Sequence, residues 1–159
     1  MRILPDLNAS TGKYIQTSIP NAGNATYTIT VPHAGDYVIW CRVLAPSFHQ
    51  DSFFVSMDDG PEDIYDAAEQ SWSGVWQRTR VNGRGGTDGR TPLRLNPRIF
   101  HLSEGVHQLL FKGREITCLD FLIITDDLAF VQSDDQPPAP PADLAAIAGD
   151  QQVSLRWSP

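Results

Sequence analysis

Hydrophobic residues recur at every second position in several short stretches of the chain, and glycine, proline, aspartate or asparagine bounds each stretch. Strict alternation of this kind is typical of half-buried β-strands, and no stretch shows the three- and four-residue spacing of an amphipathic helix. The pattern predicts strands at residues 13–17, 25–31, 36–44, 52–58, 74–81, 94–102, 105–112 and 119–125, with a short helical turn within 63–71. Short strands separated by turns at this spacing predict an all-β sandwich.

The alternation also predicts which side of each strand faces the core. The expected inward positions are Tyr37, Ile39, Cys41 and Val43 in the third strand, and Phe53, Val55 and Met57 in the fourth. Because successive strand residues point to opposite faces, Trp40 and Arg42 are expected on the outer face of the third strand.

A proline-rich segment divides the chain once. Residues 134–142 (DDQPPAPPA) predict a stiff, extended linker between a domain at 1–133 and a short segment at 143–159. The short segment is too small to bury a core alone.

Residues 1–6 lack the apolar core of a signal peptide, and the chain ends inside an apparent strand. We therefore expect both ends to be cuts in a longer polypeptide.

Composition narrows the possible partners. The chain has 159 residues, 41% of them hydrophobic, which is enough for one domain with a core. Lys and Arg number 12 against 19 Asp and Glu, so the net charge of −7 argues against a nucleic-acid partner. No stretch approaches the roughly 20 apolar residues of a membrane span, so no membrane partner is expected.

Two cysteines, Cys41 and Cys118, allow one disulfide or two buried thiols, and they cannot form a cysteine-based zinc site. Thiols are slightly favoured because Cys41 lies in the middle of a strand among predicted core residues.

Aromatic residues follow the central acidic loop. Trp72 and Trp76 lie in a polar stretch, QSWSGVWQ at residues 70–77, and Tyr65 lies upstream. Sugars bind proteins largely by laying their C–H faces on flat rings while polar groups take the hydroxyls. The segment therefore predicts a sugar-binding loop. Trp72 is the stronger candidate because it has no apolar neighbours, whereas Trp76 fits a core position equally well.

Charges are segregated along the chain. Residues 43–77 carry seven acids and no Lys or Arg, whereas residues 78–98 carry six Arg and one acid. Either the two segments pair across the surface, or an arginine reaches into a binding site. Arg114 and Glu115, at a turn between two predicted strands, have the same two interpretations. They form an ion pair that pins the turn, or they bind vicinal hydroxyls.

The sequence offers little for catalysis or metal binding. It has no Ser or Cys nucleophile motif and no His-metal spacing, so we expect no enzymatic activity, although a pair of catalytic carboxylates stays open. The acids at residues 58–63 lack EF-hand spacing. Asp120 lies within an apolar strand, and an acid there should be paired or metal-bound.

Five segments together resemble carbohydrate-binding modules of families 6 and 35. They are ASTGKYI at 9–15, AGDYVIWCRV at 34–43, DSFFV at 51–55, LSEGVH at 102–107 and REITCLD at 114–120. The resemblance covers about residues 8–127 and implies a β-sandwich jelly roll of two antiparallel sheets. Residues 142–157 are similar to the opening of a fibronectin type III domain.

The resemblance implies a non-catalytic, monomeric module that binds a polysaccharide or oligosaccharide and targets an attached glycan-degrading enzyme, secreted by a bacterium. Sites in these families lie in loops at one end of the sandwich or on its concave face. Trp72 and Trp76 match the aromatic-rich segment. Many members hold a structural calcium between an N-terminal Glu-x-Glu strand and a later Asp, which Asp120 matches. No Glu-x-Glu precedes Ala9, so the first strand is expected to be absent or shortened.

The predicted ligand-binding residues are thus Trp72, Trp76, Tyr65, Arg114 and Glu115, with Asp120 as the metal candidate. Two other functions remain as alternatives. One is a structural or adhesion module without a sugar site, and the other is a small polysaccharide-active catalytic domain. Rings presented to solvent in a concavity would favour sugar binding over the structural alternative.

Overall fold

The computed structural model describes residues 1–68, 71–85 and 97–132, together with the backbone of residues 142–149 and 152–158. Every regular element in these residues is a strand. The strands are β1 (Arg2–Pro5), β2 (Lys13–Gln16), β3 (Asn24–Val31), β4 (Gly35–Leu44), β5 (Ser52–Met57), β6 (Asp63–Asp66), β7 (Gln77–Arg80), β8 (Phe100–Leu102), β9 (Gly105–Gly113), β10 (Cys118–Thr125), β11 (Ala142–Gly149) and β12 (Gln152–Ser158).

Two antiparallel sheets form the sandwich. The first has the strand order β1-β2-β10-β4-β7, with β8 also paired to β4, and the second has the order β3-β9-β5-β6. Non-consecutive strands are neighbours in both sheets, so the chain crosses between them repeatedly. The predicted all-β fold class with two antiparallel sheets is confirmed.

The core lies between the sheets and uses the alternate positions that the hydrophobic pattern predicts. Its buried members include Tyr37, Ile39, Cys41 and Val43 from β4 and Phe53, Val55, Leu109 and Phe111 from β5 and β9. The rings of Phe53 and Phe111 meet edge to face with centroids 5.8 Å apart. Met57 is partly buried against this cluster. Both predicted core faces are therefore confirmed.

The helical turn predicted within residues 63–71 is wrong where it overlaps β6, although residues 69–70 lie outside the described part of the chain. β6 pairs with β5 in a register that places Asp66 opposite Ser52 and Asp63 opposite Val55. Ile64 and Tyr65 are both buried. The segment forms a strand because it pairs with the open edge of β5, and this contact depends on the tertiary structure.

The remaining strand predictions differ mainly at their ends. The strand predicted at 74–81 shortens to β7, and the strand predicted at 94–102 contains β8, with residues 86–96 outside the described part of the chain. β1 is present but only four residues long, and it pairs with β2 at the sheet edge.

The two cysteines are buried thiols. In the ladder between β4 and β10, Cys41 lies opposite Leu122 and Cys118 lies opposite Leu44, so the two thiols occupy different rungs. The favoured interpretation of the cysteines is confirmed.

The outer face of the first sheet is covered by arginine side chains stacked on aromatic rings. The guanidinium-to-ring distances are 5.0 Å for Arg80 over Trp40, 5.2 Å for Arg42 over Trp76 and 5.8 Å for Arg78 over Phe121. Phe130, after β10, also meets Trp40 edge to face at 6.3 Å. Trp40 is buried as a result, although it faces away from the core.

Beyond the sandwich, β11 and β12 form a two-stranded antiparallel hairpin. The predicted division into a domain at 1–133, a linker at 134–142 and a separate segment at 143–159 stays a prediction. In the described part of the chain, no helix has the length and apolar character needed to cross a membrane.

Candidate ligand-binding site

Loops at one end of the sandwich enclose a pocket of about 310 Å³, which we call the loop-end pocket. Its position follows from strand register, because the end of β9, the starts of β5 and β10 and the end of β6 all meet at this end. The pocket is lined by Phe48, Asp51, Asp66, Trp72, Arg84, Arg114 and Glu115. Three of the five predicted ligand-binding residues, Trp72, Arg114 and Glu115, lie together here.

Trp72 is held at one edge and exposed elsewhere. Its indole Nε1 donates a 2.5 Å hydrogen bond to Oδ2 of Asp51, while the side chain remains 40% exposed. Phe48, 58% exposed, meets the Trp72 ring with centroids 6.2 Å apart. The pocket therefore presents two aromatic rings to solvent in a concavity. Phe48 was not predicted, although an aromatic residue in the polar loop between β4 and β5 was a usable signal.

Arg114 and Glu115 form the ion pair that was one of the two interpretations the sequence left open. Arg114 Nη1 donates to Oε1 of Glu115 at 2.8 Å and to Oγ of Ser52 at 2.5 Å. Glu115 Oε2 accepts a 3.1 Å hydrogen bond from the backbone N–H of Asp51. The ion pair thus pins the β9–β10 turn to the start of β5, and the same side chains line the pocket.

Arg84 and Asp66 are a second ion pair that lines the pocket. Arg84 binds the Asp66 carboxylate in a bidentate manner, with Nε at 2.7 Å and Nη2 at 2.5 Å from its two oxygens. Asp63 accepts hydrogen bonds from the backbone N–H groups of Arg84 and Gly85. The acidic and arginine-rich segments therefore pair across the surface here, and the pairing arginine also lines the pocket. The segregation of charge was the sequence signal for this contact.

Asp51, in the loop-end pocket, has a pKa shifted well away from its ordinary value. Burial raises its pKa to about 7, the hydrogen bond from Trp72 opposes this shift, and the adjacent Glu115 carboxyl adds to it. At neutral pH a large share of Asp51 is therefore the protonated acid, which can donate a hydrogen bond as well as accept one.

Tyr65 does not belong to the site. Its side chain is fully buried, its ring lies in the aromatic cluster with Phe53 and Phe111, and its hydroxyl shares a 2.5 Å hydrogen bond with Thr79. The prediction that Tyr65 contacts a ligand is wrong, because strand β6 turns this residue inward.

Trp76 lies on a different surface. Its ring packs edge to face against Tyr14 at 5.4 Å, lies beneath Arg42, and donates from Nε1 to Asp6 at 3.2 Å. It lines a depression of about 480 Å³ on the outer face of the first sheet. The structure therefore separates the two tryptophans that the sequence placed in one loop, and neither of them is in the core.

Asp120 is paired rather than exposed to solvent. The β4–β10 ladder is irregular between Leu119 and Phe121, and Asp120 lies at this irregularity. Its carboxylate accepts from Arg42 Nη1 at 2.5 Å, from the Ser10 amide at 2.9 Å and from the Ser10 hydroxyl at 2.8 Å.

These contacts do not fit the calcium ion that the resemblance implies. The Arg42 guanidinium supplies the positive charge beside the Asp120 carboxylate, and a cation there would meet it at close range. Calcium also requires six to eight oxygen ligands. Among the described residues, no group of three or more His, Cys, Asp or Glu side chains could hold a metal ion.

The Asp51 and Glu115 side chains are close neighbours in the loop-end pocket, because Glu115 Oε2 accepts a hydrogen bond from the Asp51 backbone N–H and the Glu115 carboxyl raises the pKa of Asp51. The arrangement is suited to holding polar groups beside an aromatic surface.

No family model matches the sequence, and no curated protein matches it. Solved structures do resemble the fold. A family 35 carbohydrate-binding module from Clostridium thermocellum has a TM-score of 0.58 at 16% identity, covering 78% of this chain and 86% of that one. A family 35 module from Cellvibrio japonicus has a TM-score of 0.57 at 9% identity, covering 78% and 82%.

An exo-β-1,3-galactanase from Phanerochaete chrysosporium, solved with galactose, has a TM-score of 0.57 at 17% identity. The match covers 78% of this chain but only 26% of the galactanase. Likeness at these identities shows a shared fold. The chain therefore has the jelly-roll β-sandwich fold of family 35 carbohydrate-binding modules.

Proposed function

We propose that this protein is a non-catalytic carbohydrate-binding module whose sugar site is the loop-end pocket. The observation that carries the proposal is the exposed Trp72 ring, held at its edge by Asp51 inside a pocket whose other lining residues, apart from Phe48, are polar or charged. A sugar ring can lie on the indole while its hydroxyls bond to Asp51, Glu115 and Arg114. Exposed rings in a concavity favour this function over a purely structural or adhesive module.

The pocket is small, so we expect it to hold a short part of a glycan chain. A volume of about 310 Å³ is at the lower end of the range for small-molecule sites. One or two stacking rings should give a Kd between about 1 mM and 1 µM, or roughly −4 to −8 kcal/mol.

We further propose that the module targets an attached polysaccharide-degrading enzyme to its substrate outside the cell. The support is the galactanase, in which a region of the same fold makes up 26% of a longer enzyme chain. The proline-rich sequence at 134–142 is the kind of spacer that joins a module to a neighbouring domain. The module itself should release no reducing ends from any polysaccharide.

The test has two stages. A screen against plant, algal and microbial polysaccharides, including β-1,3-galactan, identifies a ligand. Titration calorimetry then compares wild type with Trp72→Ala and Phe48→Ala, and melting curves confirm that each variant is folded. Loss of one stacking ring should weaken binding by roughly 1–3 kcal/mol, or about 5- to 150-fold, by analogy with the stacking of bases on aromatic side chains.

Trp76→Ala is the matched control, because it also removes an indole ring, but from the outer face of the first sheet. It should leave binding unchanged. If Trp76→Ala abolishes binding in a folded protein and Trp72→Ala does not, the sugar site is the sheet-face depression and the loop-end assignment is wrong. If no glycan binds, the structural alternative is correct.

A further inference from the structure

The loop-end pocket contains one more acid than it contains guanidinium groups. Its acids are Asp51, Asp66 and Glu115, and its arginines are Arg84 and Arg114. Two acid–arginine pairs account for four of these five groups. Asp51 is therefore the acid without an arginine partner among the described pocket residues.

Both arginines are already committed to acids. Arg84 directs Nε and Nη2 at the two oxygens of Asp66, and Arg114 directs Nη1 at Glu115 and Ser52. A carboxylated or sulfated sugar would compete with these acids for the two guanidinium groups and would meet the carboxyls of Asp51, Asp66 and Glu115 in the same volume. The pocket is therefore unfavourable for an anionic ligand.

The geometry is favourable for a cation instead. Asp51 lies at the edge of the Trp72 ring, and the exposed rings of Trp72 and Phe48 adjoin each other. Aromatic faces attract ammonium groups through the ring quadrupole, and tryptophan does so most strongly. An ammonium group in this pocket would have a carboxylate and two aromatic rings within the same small volume.

We infer that the loop-end pocket selects sugars that carry a free amine, with Asp51 as the partner of the ammonium group. This inference rests on the proposed function, since it names the class of sugar that the same site binds. The raised pKa of Asp51 agrees with it, because the acid holds a proton near neutral pH that an ammonium group would displace. The charged groups that line the pocket with Asp51 are Glu115, Asp66, Arg84 and Arg114. The titratable ring of His49 adjoins Phe48, with the two ring centroids 3.6 Å apart.

The test compares matched monosaccharides, which avoids any dependence on linkage. Glucosamine and galactosamine are titrated at about pH 6 beside their N-acetyl, unsubstituted and uronic acid counterparts. We expect both tryptophan fluorescence and calorimetry to show binding of an amino sugar at least tenfold tighter than its three counterparts, because a hydrogen bond to a charged group contributes more than one to a neutral group.

Proton release provides a second measurement on the wild-type protein. Calorimetry in two buffers of different ionisation enthalpy should show close to one proton released for each amino sugar bound at about pH 6, and none for the N-acetyl sugar. Asp51→Asn should abolish both this release and the amine preference. Glu104→Gln removes the same charge from an exposed turn outside the pocket and should change neither.

The outcomes separate the two proposals. If neutral or acidic sugars bind as well as amino sugars and Trp72→Ala weakens them, the amine preference is wrong and the sugar-binding function stands. Binding of amino sugars that persists in both Asp51→Asn and Trp72→Ala is non-specific attraction to an acidic protein and overturns the inference. A failure of every glycan and monosaccharide to bind overturns the sugar-binding function as well.

Discussion

At the residue scale, one hydrogen bond holds the Trp72 ring in place and also satisfies the buried carboxyl of Asp51. The hydrogen bond from Nε1 fixes the orientation of the indole, and the same bond supplies a donor to an acid that is otherwise poorly solvated. The ring therefore needs little reorganisation when a ligand stacks on it, which lowers the entropic cost of binding.

Trp72→Phe keeps a ring but loses this bond, so it should bind more weakly than wild type and more strongly than Trp72→Ala.

His107 forms a second charged hydrogen-bond arrangement, away from the loop-end pocket. Its Nδ1 lies 2.6 Å from a carboxylate oxygen of Asp58, and its Nε2 lies 2.8 Å from the carbonyl oxygen of Ser103. Both partners accept hydrogen bonds, so the doubly protonated imidazolium satisfies both. These contacts raise the pKa of His107 above its ordinary 6.5, and the hydrogen bond with His107 lowers the pKa of Asp58 below its ordinary 3.8.

The stabilisation from this pair should depend on pH in a defined direction. Because the pKa of His107 is higher in the folded state, its contacts stabilise the fold fully below about pH 6.5, and this stabilisation is lost as the pH rises through the pKa of the folded state. Because the pKa of Asp58 is lower in the folded state, its contacts stabilise the fold above about pH 3.8, and this stabilisation is lost as the pH falls through the pKa of the folded state. His107→Gln should therefore cost most, about 1 kcal/mol, near pH 5. Melting curves of both proteins from pH 4 to 9 test this, and a gap that widens above pH 7 would contradict it.

At the element scale, the Arg42–Asp120 ion pair joins β4 to β10 on the outer face of the first sheet. The Asp120 side chain is fully buried and the Arg42 side chain is 11% exposed. Arg42 also donates to the Asn8 carbonyl at 2.9 Å and covers the Trp76 ring. One arginine therefore ties the N-terminal loop, the sheet and the loop before β7 together.

Removal of one partner should cost more than removal of both. Asp120→Leu leaves the Arg42 charge in a largely buried position and should lower the free energy of unfolding by about 3 kcal/mol. The double variant Arg42→Met and Asp120→Leu should recover at least half of this loss, because apolar residues of similar volume replace a buried pair with little penalty. Urea unfolding measures both. A double variant less stable than either single variant would show that Arg42 stabilises the fold mainly through Asn8 and Trp76.

The same pair leads to a prediction about calcium. A bound structural ion stabilises a protein by mass action, so its removal lowers the melting temperature. Because a guanidinium group occupies the position beside Asp120, we expect EDTA or added calcium to change the melting temperature by less than about 1 °C. A larger rise with calcium that EDTA reverses would show a structural ion site in this chain.

At the scale of the whole molecule, the core cluster of the residues whose side chains the structure describes runs from Val31 to Leu119, with partly buried neighbours from Met1 to Ile124. An isolated two-stranded hairpin such as β11–β12 is at best marginally stable in water. Deletion of residues 134–159 should therefore leave the melting temperature almost unchanged. Calorimetry of the full chain and the shortened chain tests this, and a fall of many degrees would show that the hairpin belongs to the fold.

The local pattern of the sequence determined strands β2 to β5 and β7 to β10, the core faces of β4 and β5, and the exposure of Trp72, but it did not predict β1 or β6. Alternation is a property of neighbouring residues, and burial of one strand face follows from it directly. The isolation of Trp72 among polar residues predicted correctly that its ring is not in the core.

Only the tertiary structure decided which residues meet. Tyr65 looked like part of the aromatic loop, but pairing of β6 with β5 buries it. Trp76 is four residues from Trp72 and lies on another surface because Tyr14 and Arg42 hold its ring there. Asp120 finds its partner in Arg42, 78 residues away in the chain. Such contacts depend on strand register and on how the sheets close, and neither follows from the spacing of residues along the chain.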